Sequence, residues 1–394
     1  LASAENQKEK LTTARQILVV QTAFLGDALL GIPLLKSLRL LYPAGILTLL
    51  CRKGVGSFFS DASLVDQIIE VDKSKSGSWL QAREAIADRV FDVVICPHES
   101  FRTALFVSRI NAVRKIGYKR FFNRFIFDDR VCRRLDLPEA LRQLALLIPI
   151  DSNYSDLILN FENAQAGAGG QGPEGALTQL PLGTDMKVPA LMQIRNMRHV
   201  GRAAEATSSL SAQVTPVIEP FLGAPESIIV LAPGSVWRTK MWTKEGFIET
   251  GRALGASRNA LVVLMGAKDE STLCQEISAA IPNSISMAGR TSLYESAQLL
   301  AVADLLICND SGAMHLGACA GIPIVSVFGP TVLELGYRPW SSKAVVVQTD
   351  LVCRPCGRHG AQVCPLGTHD CMKKVTSGEV IRAADHLKAN IVTN

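Results

Sequence analysis

The chain has no uninterrupted apolar run approaching the roughly 20 residues that cross a bilayer. Its opening stretch, Leu1 to Arg15, is polar and mixed in charge, with no apolar segment of the signal-peptide kind. Both absences set the expectation of a cytoplasmic protein and argue against an exported binding module. No G-x-G-x-x-G follows the first strand-like run, where residues 21 to 27 read Gln-Thr-Ala-Phe-Leu-Gly-Asp, so a dinucleotide-dependent dehydrogenase is disfavoured. A motif for a covalent enzyme nucleophile is missing as well. What is present is apolar bulk: 394 residues, 48% of them hydrophobic, exceed one ordinary core and suit two α/β domains.

Short apolar runs alternate with helical patterns. Gln16 to Gln21, Ile46 to Cys51, Gln67 to Val71, Asp92 to Cys96 and Lys115 to Tyr118 read as strands, with helices expected over Asp27 to Leu41, Ser78 to Val90 and Ser100 to Asn111. The composition turns to Gly, Ala, Gln and Pro from Phe161 to about Gly183, and a thin apolar stripe from Met192 to Ser211 suggests a helix. The alternation then restarts, with strands at Ile228 to Ala232, Ala260 to Met265, Ser284 to Met287, Leu305 to Cys308, Ile324 to Phe328 and Ala344 to Gln348. Ser292 and Glu295 form a capping box, and Ser377 to Ala389 is a final amphipathic helix. The division expected is a first domain over 14–160, an insertion or linker over 161–226, a second domain over 227–375, and a closing helix over 376–394 that packs back on the first domain.

The net charge of +5 is unevenly placed. Between Arg102 and Arg134 eight further Arg and Lys residues face only Asp128 and Asp129, and seven aromatic residues from Phe101 to Phe127 are interleaved with them. A solvated helix face over core aromatics accounts for any single residue; the block as a whole points to an anionic partner. No nucleic-acid module accompanies it, whereas a phosphorylated glycolipid at a membrane surface suits both cations and aromatics, with Arg120 and Arg124 as candidate contacts.

In Asn309-Asp310-Ser311-Gly312-Ala313-Met314-His315 an apolar strand ends in small polar residues that open a helix, leaving backbone N–H groups free to meet an anion. A second strand, Ile322 to Phe328, ends in Gly329-Pro330-Thr331 and completes a βαβ unit with two polar loops at one sheet edge. Two other loops are built alike: Ile17 to Gln21 runs into Gly26-Asp27, and Ile229 to Ala232 into Pro233-Gly234-Ser235, with Lys240 and Trp242 behind.

Taken together, these three segments resemble glycosyltransferase family 9, the bacterial lipopolysaccharide heptosyltransferases. The resemblance implies an α/β GT-B architecture of two Rossmann-like, doubly wound domains facing a cleft. It implies Asp27 as general base, where the residue alone reads first as a helix cap. It assigns Lys240 to the departing diphosphate, with Ser235 as a hydroxyl donor and Arg238 as a second cation. The Ser311 and Gly312 amides would hold the diphosphate without a metal, and His315 would hydrogen-bond phosphate or sugar. Asp310 either accepts sugar hydroxyls or caps the helix. The reaction implied is inverting transfer of heptose from ADP-heptose to the phosphorylated lipid A-core at the inner face of the cytoplasmic membrane. A transferase of another nucleotide sugar and a non-catalytic nucleotide- or sugar-binding protein are the alternatives.

Ten cysteines complete the inventory. Cys51, Cys96, Cys132, Cys274, Cys308 and Cys319 lie in or beside apolar elements, where free cysteine acts as a small hydrophobe. Cys353, Cys356, Cys364 and Cys371, spaced C-x2-C-x7-C-x6-C with His359 and His369 nearby, read as a structural zinc knuckle, a metal-free folded loop or a redox-sensitive thiol set.

Overall fold

A computed structural model of the chain describes residues 16–75, 77–167, 185–199, 203–216, 219 and 227–392. It divides into two compact units, residues 1–186 and 187–394, each built on one six-stranded parallel sheet.

In the first unit β1 (Gln16–Gln21), β2 (Ile46–Arg52), β3 (Gln67–Val71), β4 (Phe91–Cys96), β5 (Ala112–Tyr118) and β6 (Asp129–Val131) lie in the order β3-β2-β1-β4-β5-β6. The central strands are apolar on both faces because helices cover both, which is why β1 and β4 read as continuous hydrophobic runs rather than alternating ones. One face packs Leu18, Val20, Leu50, Val71 and Val94 against Ile86, Phe106 and Val107. The helix expected over Asp27 to Leu41 is two helices, Leu25–Leu29 and Ile32–Leu41. The break falls at Gly31, where a Cβ would stand 2.8 Å from Gln143 Oε1 and 3.0 Å from the Ala28 carbonyl.

In the second unit β7 (Ile228–Ala232), β8 (Leu261–Leu264), β9 (Ser284–Ser286), β10 (Leu305–Asn309), β11 (Ile324–Phe328) and β12 (Ala344–Gln348) take the order β12-β11-β10-β7-β8-β9. Counted from its own first strand this is the same order, so the two units repeat one topology. Each has its switch point between its first and fourth strands, the place where open parallel sheets bind ligands outside their carboxyl ends. Alternate residues Ile229, Leu231, Val262, Leu264, Leu305, Ile307, Val325 and Val327 line one face of this sheet under Phe247 and Leu254. Truncating a side chain such as Phe247 to alanine would cost about 3–5 kcal/mol.

The closing helix, Ser377–Val392, departs from expectation. Val380, Ala384 and Leu387 pack on this same face of the second sheet, and Arg258 pairs with Asp385 at 2.9 Å, so the helix completes the second unit's core. The region expected as a linker is also partly structured. Asn153–Gly167 and Pro189–His199 are helices, the latter burying Leu191 and Ile194, and Ala203–Ser208 is a third. The Gly-rich stretch from 168 to 183 lies outside the described residues. Five of the six expected core cysteines are buried; Cys132, just past β6, is exposed.

Candidate functional site

At the switch point of the second sheet, Asn309 ends β10 and joins it to the loop after β7. Its Nδ2 donates to the Pro233 carbonyl at 2.8 Å, and its Oδ1 accepts from the Trp242 backbone N–H at 2.9 Å. This brings Lys240, in the short 3-10 turn Arg238–Lys240, to Asp310: Nζ lies 2.6 Å from Oδ2 with both side chains buried. Thr331 Oγ1 donates to the same oxygen at 2.6 Å. Asp310 therefore does not cap the following helix, Gly312–Ala320; the N-cap is Ser311, whose side chain makes no capping hydrogen bond. The first residues of that helix are partly exposed, leaving its N-terminal amides available to an anion.

His315, one turn in, is buried, and its Nδ1 has no hydrogen-bond partner. An orphan of this kind costs about 1–3 kcal/mol and marks a place for a ligand atom. Burial pushes the imidazole's pKa down to about 4, with Asp310 opposing, so it is neutral at physiological pH. Gly234 leaves room for Glu270: a Cβ there would stand 2.0 Å from the carboxyl carbon. Burial raises the pKa of that carboxyl. Ser235 is partly buried and Arg238 exposed on the same loop.

The cysteine-rich segment is a brace on this edge. Cys356 N–H donates to the Pro330 carbonyl at 2.8 Å, Arg354 Nη2 to the Thr331 carbonyl at 2.7 Å, and His369 Nε2 to the Thr239 carbonyl at 2.8 Å. Thr239 exchanges further bonds with Ala361, and His359 stacks on Trp237 at 6.3 Å and 11°. Burial, with the neighbouring thiols adding to it, raises the pKa values of Cys356 and Cys371. Among the described residues no three His, Cys, Asp or Glu side chains are gathered to hold a metal ion. Hydrogen bonds to the Thr239 and Pro330 loops hold the segment that carries Cys353, Cys356, Cys364 and Cys371.

At the switch point of the first sheet, Asp27 sits half-buried in the first turn of Leu25–Leu29, three residues past the N-cap Phe24, so it is not the cap. The buried Gln143 fixes this turn, its Nε2 donating to the Asp27 carbonyl at 2.9 Å and its Oε1 accepting from Gln21 Nε2 at 3.3 Å. Thr22 Oγ1, one residue past β1, meets His98 Nδ1 at 3.0 Å and Thr103 Oγ1 at 3.3 Å, tying the turn to the loop after β4. Burial, with Lys73 adding to it, pulls the His98 pKa down to about 4.

Charged groups from neighbouring elements gather around Lys73. The Lys73 ammonium, after β3, has its pKa lowered by burial and by Arg52 and Arg102, and raised by Asp27. Arg52, ending β2, stacks on the Phe24 ring at 4.8 Å. Arg52 and Lys73 belong to no motif in the sequence; a charged residue directly after an apolar strand is the available signal. Of the expected pair, Arg120 is engaged by Glu99 at 2.6 Å, while Arg124 lies over Phe125 at 4.7 Å.

Two parallel sheets of one topology, each with polar side chains collected at the carboxyl ends of its switch-point strands, define a chain of the GT-B class. Residues 192–365, within the second unit, match the model of glycosyltransferase family 9 (heptosyltransferase). The chain is 34% identical over 172 residues to lipooligosaccharide heptosyltransferase 2 of Campylobacter jejuni, an alignment covering 42% of this chain and 52% of that one. The match thus spans about half the length of that curated relative. In fold, it is similar to a family 9 glycosyltransferase of Veillonella parvula, with a TM-score of 0.69, 20% identity, and 95% and 97% of the two chains covered. It is likewise similar to the ADP-heptose lipopolysaccharide heptosyltransferase II of Escherichia coli, with a TM-score of 0.66, 20% identity, and 94% and 98% covered. Among the described residues no helix is long and apolar enough to cross a membrane.

Proposed function

We propose that the protein is an inverting, metal-independent heptosyltransferase that moves heptose from ADP-heptose to a phosphorylated inner-core lipopolysaccharide acceptor at the cytoplasmic face of the membrane. The observation that carries this reading is the group of polar atoms at the second switch point: Lys240, the Gly312 helix N-terminus and the orphan Nδ1 of His315. Two of the proteins named above are heptosyltransferases by name, and one of these is an ADP-heptose enzyme by name.

In this reading the two edges perform different parts of one displacement. Asp27 takes the proton of the acceptor hydroxyl as that oxygen attacks the anomeric carbon. The bond from that carbon to the diphosphate oxygen breaks on the opposite face, which inverts the configuration and needs no covalent enzyme intermediate. The negative charge leaving with ADP is met by the helix amides and by the Lys240 ammonium, which stand where a divalent ion would otherwise serve. Ser235 and Arg238 add donors from the same loop, and Asp310 holds Lys240 in place. On the first unit, Lys73, within reach of the Asp27 charge and with Arg52 near it, adds positive charge suited to an acceptor phosphate or carboxylate.

The test is incubation with ADP-heptose and a panel of truncated core lipids, following ADP release and product mass. Transfer to a phosphorylated inner-core acceptor is expected. If ADP-heptose stays intact with every acceptor while another nucleotide sugar is consumed, the donor assignment fails; if no nucleotide sugar is consumed, the chain is a binding protein.

A further inference from the structure

A second feature of the first unit adjoins the surroundings of Lys73 through Arg102. The helices Ser78–Glu84 and Phe101–Ser108 border an open groove of about 180 Å³ with an apolar wall. Trp79 and Phe106 meet there at 5.1 Å, and the indole N–H of Trp79 is buried with no hydrogen-bond partner. Leu80 and Leu105 at its edge are exposed, 57% and 39%. Arg83, Arg102 and Arg109 also line it, all three exposed and, among the described residues, without an ion pair. Arg114, Arg120, Arg133 and Arg134, further along the same basic stretch, all pair with carboxylates.

The surface continues onto the next loop. Phe101 meets Phe122 edge-on at 5.6 Å, and the turn that follows carries Phe121 and Phe125, 96% and 89% exposed. The Arg124 guanidinium stands over the Phe125 ring. Nearly bare phenylalanines joined to unpaired arginines disfavour both solvent and an uncharged protein partner. Apolar rings beneath guanidinium groups match the layering of a bilayer interface, where acyl chains lie below phosphates.

We propose that this face is a membrane-contact surface for anionic phospholipid. Phe121 and Phe125 enter the acyl boundary, and Arg83, Arg102 and Arg109 meet lipid phosphates around the Leu80–Leu105 groove. The inference stands apart from the transferase reading, since it requires neither donor nor acceptor.

The experiment is co-sedimentation of the full chain with phosphatidylcholine vesicles with and without phosphatidylglycerol, at low and high salt. Binding is expected only with phosphatidylglycerol and should weaken with salt. Phe121→Ser with Phe125→Ser should lower the partition coefficient about tenfold per residue. Arg83→Gln with Arg109→Gln should lower it about fivefold per residue and flatten the salt dependence. Thermal melts check that both variants fold; their exposed positions predict melts like the parent's, and Phe125→Tyr serves if the serines unfold the loop. Absence of phosphatidylglycerol-dependent binding by the parent chain overturns the proposal, as does binding unaltered in both variants. A parent dimer that Phe121→Ser and Phe125→Ser convert to monomer, without vesicle binding, assigns the face to self-association instead.

Discussion

Lys240 and Asp310, seventy positions apart in the chain, form a buried ion pair of 2.6 Å that Thr331 shares through Asp310 Oδ2. The pair sits where the loop after β7 meets the end of β10, and it fixes a flexible ammonium at the edge proposed to receive a diphosphate. A buried pair of this kind adds little net stability, but breaking it by removing one partner is expensive.

Lys240→Ala should therefore destabilise the protein by about 3 kcal/mol, because Asp310 is left charged, buried and short of one partner. Lys240→Ala with Asp310→Asn should recover part of that loss in denaturant unfolding. Both variants should bind ADP more weakly. Equal stability of Lys240→Ala and the parent chain would mean that the pair opens in solution.

Asp27→Ala should abolish transfer by about 10²–10⁴-fold while leaving ADP binding and the melt nearly unchanged. The Gln143 bond goes to the Asp27 backbone, so the turn survives the substitution. Near-normal turnover by a folded variant would remove Asp27 from the role of base.

Arg52→Gln with Lys73→Gln should raise the acceptor Michaelis constant and leave the donor's unchanged, and the effect should shrink as salt screens charges over a Debye length of about 8 Å. Arg120→Gln should do less to the acceptor constant, since Glu99 already engages that guanidinium. Paired steady-state kinetics at two salt concentrations separate the two outcomes. A larger acceptor effect from Arg120 than from the Arg52 and Lys73 pair would contradict this ordering.

His98 and His315 both have pKa values lowered to about 4 by burial, against about 6.5 in an unfolded chain. In the interval between these values the unfolded state binds more protons. The stability held above pH 6.5 is thus lost as pH falls toward 4, at up to about 1.4 kcal/mol per pH unit for each histidine. Melting temperatures from pH 7.5 to 4 should show this acid slope, and His98→Gln with His315→Gln should flatten it. An unchanged slope would place the proton uptake elsewhere.

Turnover should persist in excess chelator, because helix amides and Lys240 take the place of a divalent ion at the diphosphate. A complete loss restored by magnesium would count against that division of labour. Elemental analysis of the same sample reports separately on the cysteine-rich segment.

Local pattern is enough to place eleven of the twelve strands among the described residues, because parallel strands covered on both faces leave continuous apolar runs such as Ile228–Ala232 and Leu305–Cys308. The polar loops that follow them are equally legible, since small residues must end such runs where a ligand or turn needs room. The short β6, Asp129–Val131, has too few residues and too much charge to leave that mark. Partnership is a different matter. That Asp310 holds Lys240 instead of capping a helix, that Gln143 braces Asp27, and that Arg120 is occupied by Glu99 while Arg52, Lys73 and Arg102 converge are all results of strand order. Parallel β-α-β winding brings the carboxyl ends of distant strands to one edge, and hydrogen bonds over 70 to 116 residues of separation leave no period in the sequence. The closing helix shows the same limit: its apolar stripe is visible in the sequence, but only the apolar row of Val325 and Val327 on the second sheet decides which core it completes.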